Sequence, residues 1–253
     1  MEKIALITGA TSGIGEACAL RFAKEGYSLI LTGRNEGKLN ELKNTIETAH
    51  KVLVMPLTFD IRNRDEAVYK IGNLPTEWKN IDVLINNAGL ARGLDAEYEG
   101  DFNEWDEMID TNVKGLLTMT RLIVPGMVER NKGHVINIGS LAGDAAYAGG
   151  NVYCATKSAV KALSDGLRID VAHTGVRVTN VKPGLVETHF SNIRFRGDDQ
   201  RADNVYKGIT PLSGDDVADV VYYAVSAPKH VQIAEVLVLA THQANSFCVY
   251  KEK

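Results

Sequence analysis

The stretch Thr8-Gly9-Ala10-Thr11-Ser12-Gly13-Ile14-Gly15 decides the fold, because it joins a strand to a helix through three glycines. The run before it, KIALIT, has the apolar character of a buried strand, and GEACALRFAKEG after it has helical spacing. A tight turn, a bare backbone beside a pyrophosphate and a close helix–strand contact each need a residue without Cβ. Gly9, Gly13 and Gly15 suit these three tasks, so the turn predicts a dinucleotide site at the helix N-terminus.

Three glycines in a connection are also compatible with an ordinary loop, and the strand before and the helix after favour the phosphate site. Unpaired N–H groups and the helix dipole would favour an anion there. The candidate cofactor-binding residues of this turn are Gly9, Thr11, Ser12, Gly13, Ile14 and Gly15.

Strand-like and helical segments alternate along the rest of the chain. The predicted strands are KIALIT, SLILTG, VLVMPL, IDVLINN, HVINIG, VRVTNV and AEVLVLA, and the predicted helices cover 16–25, 36–48, 105–130, 153–173 and 215–226. This alternation predicts an α/β fold, a Rossmann-like doubly wound parallel sheet of seven strands with helices on both faces. We expect one domain over residues 1–253, with the long polar connection 185–213 as a substrate lid; the alternative is a disordered surface insertion.

Composition excludes several classes of partner. The 28 Lys and Arg against 32 Asp and Glu give a net charge of −4, which argues against nucleic acid or an anionic membrane. No apolar stretch is long enough for a transmembrane helix. Three cysteines, an odd number without CxxC spacing, favour a reducing, cytoplasmic location. The six histidines have no metal-ligand spacing, so we expect no metal.

The end of the second strand predicts which dinucleotide binds. NAD sites usually place a carboxylate about 20 residues beyond the glycines, where it binds the ribose 2′-hydroxyl. Here Arg34-Asn35 occupies that place, and a guanidinium offers a bidentate partner for a 2′-phosphate. NADP is therefore the expected cofactor. The alternative is that Arg34 is a solvated surface charge and Glu36 binds the ribose.

Chemically useful side chains follow the fourth and fifth strands. The fourth strand ends in Asn86-Asn87-Ala88-Gly89 and the fifth in Gly139-Ser140. Tyr153 and Lys157 are four residues apart on a predicted helix and so share one face. A nearby ammonium stabilises a phenolate, so Tyr153 could exchange a proton with a substrate hydroxyl that Ser140 orients. A Tyr-x-x-x-Lys pair alone is common on solvated helices, and the combination gives it weight.

With these motifs the sequence resembles the short-chain dehydrogenase/reductase family over essentially its whole length. The resemblance implies a proton-relay tetrad of Asn112, Ser140, Tyr153 and Lys157, with Asn112 fixing a water through its helix backbone. It also implies that Asp60 and Ile61 contact the adenine, that Asn87, Ala88 and Gly89 line the ribose, and that Pro183, Gly184, Val186 and Thr188 border the nicotinamide. Helices of this family commonly pair into tetramers, so we expect a homotetramer.

Longer segments, such as PTEWKNIDVLINNAGLARG and VRVTNVKPGLVETHFSNIRFRGDD, resemble the subfamily that oxidises 3-hydroxy acids, L-allo-threonine and serine with NADP. Such a substrate carries a carboxylate, for which Arg194 is the first candidate partner and Arg196 the second; both could also be solvated charges. Two other functions stay open. One is a reductase of another carbonyl substrate, an acyl-carrier thioester or a polyol. The other is an NADP-binding regulator without turnover.

Overall fold

The chain folds around seven parallel strands in a computed structural model that describes residues 3–251. In chain order the strands are β1 (Ile4–Thr8), β2 (Ser28–Gly33), β3 (Val54–Thr58), β4 (Val83–Asn86), β5 (Gly133–Ile138), β6 (Val176–Pro183) and β7 (Glu235–Val238). They form one sheet in the order β3-β2-β1-β4-β5-β6-β7. The prediction of a seven-stranded, doubly wound parallel sheet is confirmed.

Helices fill the connections between the strands. They are α1 (Gly13–Lys24), α2 (Glu36–Ala49), α3 (Arg64–Gly72), α4 (Phe102–Ile109), α5 (Leu116–Glu129), α6 (Asn151–Asp170), α7 (Phe190–Arg194), α8 (Asp199–Tyr206) and α9 (Gly214–Ser226). A π-helical turn, Asp110–Gly115, joins α4 to α5, so the helix predicted over 105–130 contains a widened turn.

The lid holds two short helices, α7 and α8, that the sequence did not predict. Asp198 begins α8 because its Oδ1 accepts a hydrogen bond from Arg201 N at 3.0 Å, and Ala202 is buried beneath it. The adjacent Asp199 accepts a hydrogen bond from Asn192 Nδ2 at 2.6 Å and ties α8 to α7. These two acids therefore shape the lid.

Alternating side chains of β1 divide the core into two layers. Ala5 and Ile7 pack with α1, α2 and α9 on one face of the sheet, whereas Ile4 and Leu6 pack with α3 and α5 on the other. This alternation is what the two-residue period of a strand requires when both faces are buried. Edge strand β3 carries Pro56, which is tolerated because an edge strand has a partner on one side only.

Strand order places the site. The chain runs outward from β1 to β3 and then returns to pair β4 with β1, so the crossovers diverge at the carboxyl ends of β1 and β4. Open α/β sheets bind their ligands in the crevice at such a point. Across residues 3–251, no helix is long and apolar enough to cross a lipid bilayer.

Candidate active site

The turn after β1 admits only glycine at its critical positions. Gly9 and Gly13 have φ angles of +64° and +58°, in the left-handed region that side chains disfavour. A Cβ on Gly15 would overlap the carbonyl oxygen of Gly9 and Nδ2 of Asn87. The cradle therefore leaves a bare backbone at the N-terminus of α1, which fits a pyrophosphate.

Hydrogen bonds from the segment that follows β4 hold this turn. Asn87 Nδ2 donates to the carbonyl oxygens of Thr8 and Gly9 at 2.9 and 3.1 Å. The Thr8 hydroxyl in turn accepts from the backbone N–H groups of Asn87 and Ala88, both at 3.0 Å. Thr8 was not among the predicted site residues, although it stands at the start of the quoted turn. Its role depends on hydrogen bonds to the segment after β4, and no local sequence pattern predicts such a distant contact.

A cavity of about 600 Å³ opens at the carboxyl ends of the strands. Most of the predicted site residues line it, namely Gly9, Thr11, Ser12, Gly13, Ile14, Arg34, Asp60, Ile61, Asn87, Ala88, Gly89, Ser140, Tyr153, Lys157, Pro183, Gly184, Val186 and Thr188. Three predicted residues lie outside this lining, namely Gly15, Asn35 and Asn112. Gly15 packs behind the turn, and Asn35 caps α2 by accepting from Lys38 N at 3.0 Å.

Asn112 is buried behind the cavity, in the π-helical turn. Its Oδ1 accepts from Leu90 N at 2.9 Å, and its Nδ2 donates to Leu90 O at 2.8 Å and to Thr156 Oγ1 at 3.0 Å. Gly89 lies between Asn112 and Lys157, because a Cβ there would stand 3.2 Å from Asn112 Oδ1 and 3.5 Å from Lys157 Nζ. The Asn112 side chain thus fixes the loop after β4 beside Lys157.

Tyr153 and Lys157 lie in the first two turns of α6, facing the end of β5. The Tyr153 hydroxyl is hydrogen-bonded to Ser140, and Lys157 Nζ donates to the Ile138 carbonyl at 2.8 Å. Lys157 Nζ lies 5.9 Å from the centre of the Tyr153 ring. The Tyr153 phenol, the Ser140 hydroxyl and the Lys157 ammonium therefore lie close together at the end of β5, as the sequence predicted.

Burial governs the acidities of this pair. Burial raises the pKa of Tyr153 well above its usual range, and the hydrogen bond with Ser140 opposes this only in part. Burial also lowers the pKa of Lys157 to about 8. The sequence led us to expect a phenol made more acidic by Lys157. The protein alone instead holds Tyr153 as the neutral phenol, because desolvation outweighs the hydrogen bond with Ser140 and the positive charge of Arg194.

Arg34 follows β2 at the rim of the cavity. Gly33, beside it, packs on Thr11, since a Cβ there would come within 2.8 Å of Thr11 Cγ2. Among the described residues, none forms a hydrogen bond or ion pair with the Arg34 guanidinium. A guanidinium that makes no hydrogen bond at a cavity rim, with Asp60 and Glu107 as its charged neighbours, suits an anionic ligand such as a 2′-phosphate. Glu36, the alternative ribose partner, is exposed at the start of α2.

The two arginines of the lid differ in their surroundings. Arg194 donates from Nε to Gly93 O and from Nη1 to the Tyr147 hydroxyl, both at 2.9 Å. Its Nη2 is buried with no hydrogen-bond partner, and its guanidinium carbon lies 5.9 Å from the Tyr153 ring centre. Arg196 points away, is 62% exposed and pairs with Glu104 at 2.6 Å.

Residues that the sequence did not single out complete the pocket. Phe190 of α7 packs against the Tyr153 ring with centroids 5.7 Å apart, and Tyr147 positions Arg194. Gln243, from the segment after β7, accepts from Leu185 N at 2.9 Å beside Gly184. No local pattern marks these three residues, because each acts through a contact distant in sequence. Within the described chain, no cluster of His, Cys, Asp and Glu could hold a metal ion.

Comparison with known proteins agrees with this geometry. Residues 3–198 match the family model for short chain dehydrogenases. The chain is 48% identical over 242 residues to an NADP-dependent 3-hydroxy acid dehydrogenase, YdfG, of Salmonella typhi, covering 95% of this chain and 96% of the relative. It is 43% identical over 252 residues to the NADP-dependent 3-hydroxy acid dehydrogenase of Schizosaccharomyces pombe, covering 99% and 97%. The closed form of a serine dehydrogenase complexed with NADP+ superimposes with a TM-score of 0.92 at 45% identity, covering 99% and 100%.

Proposed function

This chain belongs to the short-chain dehydrogenase family, and we propose that it oxidises the hydroxyl of small 3-hydroxy acids with NADP, or reduces the corresponding carbonyl. The NADP-dependent relatives support this cofactor, as does Arg34 at the cavity rim. Candidate substrates are L-allo-threonine, serine and 3-hydroxypropionate. The observation that carries the substrate class is the buried Nη2 of Arg194, which has no partner beside Tyr153.

Tyr153 is the proposed acid and base. In oxidation its phenolate oxygen accepts the proton of the substrate hydroxyl as hydride leaves the adjoining carbon. A bound oxidised nicotinamide supplies the acceptor for that hydride. In reduction Tyr153 donates the proton back, and burial suits it to this role because it keeps the phenol protonated at neutral pH. Ser140 holds the substrate oxygen by a hydrogen bond and orients it for the transfer.

Lys157 and Asn112 have proposed supporting roles. The Lys157 ammonium stabilises the phenolate, and a pKa of about 8 lets Lys157 exchange a proton near neutral pH. Asn112 keeps the loop after β4 and Thr156 in place beside Lys157. The turn residues 9–15 would cradle the pyrophosphate, and Asp60 and Ile61 would line the adenine pocket.

The carboxylate of a 3-hydroxy acid would supply the hydrogen-bond acceptor that Arg194 Nη2 lacks. A buried N–H without an acceptor costs roughly 1–3 kcal/mol, and more on a charged group, so the site favours a ligand that supplies an oxygen. A carboxylate beside the reacting alcohol does this and is held in place at the same time. An uncharged polyol gives a weaker acceptor, and an inert regulator has no need of the complete tetrad.

We propose a homotetramer in the cytoplasm, with residues 1–253 as one catalytic domain. Helices α4, α5 and α6 expose the apolar side chains of Phe102, Leu117 and Ile169, which pairing between copies would cover. The three cysteines are free thiols, as a reducing compartment requires. Light scattering at micromolar concentration should give the mass of four chains, and the mass of one chain would refute the assembly.

A substrate panel tests the activity. The protein is incubated with NADP and L-allo-threonine, serine, 3-hydroxypropionate or uncharged secondary alcohols, and formation of reduced NADP is followed by its absorbance. We expect turnover of the hydroxy acids at a kcat/KM well above that of the alcohols. Turnover of the alcohols alone would reject the substrate class, and no turnover with any substrate or carbonyl would favour the inert alternative.

A further inference from the structure

Glu107 of α4 lies between two guanidinium groups, outside the cavity that holds Tyr153. It accepts from Arg92 Nε at 2.6 Å and from Arg92 Nη2 at 3.1 Å, and also from Arg62 Nη1 at 3.2 Å. The hydrogen bond from Arg92 lowers the pKa of Glu107 below its usual range, and burial opposes this only in part. Glu107 thus stays ionised and binds one arginine in the bidentate geometry that lysine cannot reproduce.

One end of this arrangement is anchored beside the predicted adenine pocket. Arg62 donates to Asp60 from Nη2 at 2.6 Å and from Nε at 3.0 and 3.1 Å. The loop after β3 and helix α4 are therefore held together by Asp60, Arg62 and Glu107. These bonds give Glu107 a fixed position from which to orient Arg92.

The other end reaches the lid. Arg92 Nη1 donates to the Ile193 carbonyl at 2.5 Å, in the last turn of α7. Gly93 N donates to the carbonyl of Arg194 at 3.2 Å, and Gly93 O accepts from Arg194 Nε at 2.9 Å. The loop after β4 is thus hydrogen-bonded to both the backbone and the side chain of Arg194 in the lid. A guanidinium at a helix C-terminus also complements the helix dipole.

We propose that Arg92 is a positioning residue for the substrate carboxylate. Held by Glu107, it fixes the end of α7, and so keeps the Arg194 side chain in the cavity lining beside Tyr153. Arg92 and Glu107 do not line that cavity, so they act through Arg194. The inference rests on the proposed function, because it assumes that Arg194 binds a carboxylate.

Kinetics of Arg92→Met and Glu107→Gln test the proposal. By analogy with the outer partners of metal ligands, whose loss costs about 10- to 100-fold in affinity, we expect the KM for 3-hydroxypropionate to rise about tenfold in each variant. We expect kcat to stay within about threefold, because neither residue touches the reacting atoms. The inhibition constant of propionate, a carboxylate without the reacting hydroxyl, should rise by a similar factor when it is measured at saturating NADP.

Three further variants make the outcome decisive. Arg92→Lys keeps the charge but cannot bind Glu107 and Ile193 together, so it should restore little of the lost affinity. Arg196→Met, on the same lid, should leave the KM unchanged. Arg194→Met separates the two proposals. If it raises the KM and Arg92→Met and Glu107→Gln do not, the positioning role is wrong and the proposed function stands. If Arg194→Met also has no effect, the carboxylate site itself is wrong.

Discussion

The phosphate-binding turn and the lid are built in opposite ways. The turn is shaped by its backbone, because Gly9 and Gly13 have positive φ angles and Gly15 has no room for a Cβ. The lid is held by long side chains instead: Arg194 donates hydrogen bonds to Gly93 and Tyr147, and its Nη2 stays unpaired. One region offers a rigid, generic cradle, and the other offers a specific charge.

This difference assigns different tasks to the two regions. Enzymes of this fold bind the same pyrophosphate group of a dinucleotide cofactor whatever their substrate, and main-chain N–H groups suffice to bind it. The identity of a small alcohol substrate depends on what surrounds the reacting carbon, and only side chains can distinguish one group from another. Changes in the turn should therefore affect cofactor binding and folding, whereas changes in the lid should affect selectivity.

Tyr153→Phe should have the largest effect, because Tyr153 is where cofactor and substrate meet. Removing the phenolic oxygen removes the acid and base, so turnover should fall by roughly 10²- to 10⁴-fold. Binding of NADP, measured by fluorescence titration, should remain nearly intact. Activity within a few-fold of the wild type would show that Tyr153 is not the proton carrier.

Arg34→Asp tests the one side chain on which cofactor choice should depend. It replaces a charge-assisted contact with repulsion of the 2′-phosphate, and each such contact contributes about 1.5–3 kcal/mol. The affinity for NADP should fall by about 10²-fold while that for NAD changes little. A wild type that prefers NAD, or a variant that retains its NADP affinity, would return the ribose contact to Glu36.

Gly15→Ala tests the claim that the turn has no space. Its Cβ would overlap Gly9 O and Asn87 Nδ2, so we expect a loss of about 1–3 kcal/mol in the free energy of unfolding, together with weaker NADP binding. Gly72→Ala is the matched control, because a Cβ there meets nothing within 4 Å. Chemical denaturation of both variants gives the comparison. Equal stabilities would mean that the turn can relax.

The pH dependence of stability tests the burial of Lys157. Burial lowers the pKa of folded Lys157 to about 8, so the unfolded chain binds more protons above that pH. Unfolding free energy should therefore rise with pH between about 8 and the ordinary lysine value near 10.4, relative to Lys157→Met. Subtracting the variant removes the opposing contribution of Cys18, whose pKa burial raises to about 12. An identical slope in both proteins would show that Lys157 is not desolvated.

Features that depend on backbone conformation could be predicted from the sequence. The seven strands followed from apolar runs, and the site of the glycine turn followed from its strand and helix neighbours. Asn112, Ser140, Tyr153 and Lys157 came partly from helical spacing and partly from a family resemblance. Their roles stay predictions. Residue spacing could not predict burial, and burial raises the pKa of Tyr153 where the sequence led us to expect a lowered pKa.

Features that depend on distant contacts could not be predicted. Arg194 and Arg196 are two residues apart and were both candidate carboxylate partners, yet Arg194 lines the cavity and Arg196 pairs with Glu104. Arg92 and Gln243 carry no local pattern, because their partners lie on other elements of the fold. Lid helix α8 depends on one capping residue, Asp198, and on burial of Ala202.

The most direct test of the account is the kcat/KM for 3-hydroxypropionate in Arg194→Met and Arg196→Met. Both variants remove one guanidinium from the same lid, and only Arg194 has a buried N–H group without a partner beside Tyr153. The account predicts a loss of about 10- to 100-fold for Arg194→Met, mainly through KM, and little change for Arg196→Met. Equal values in the two variants would contradict the assignment of Arg194 as the partner of the substrate carboxylate.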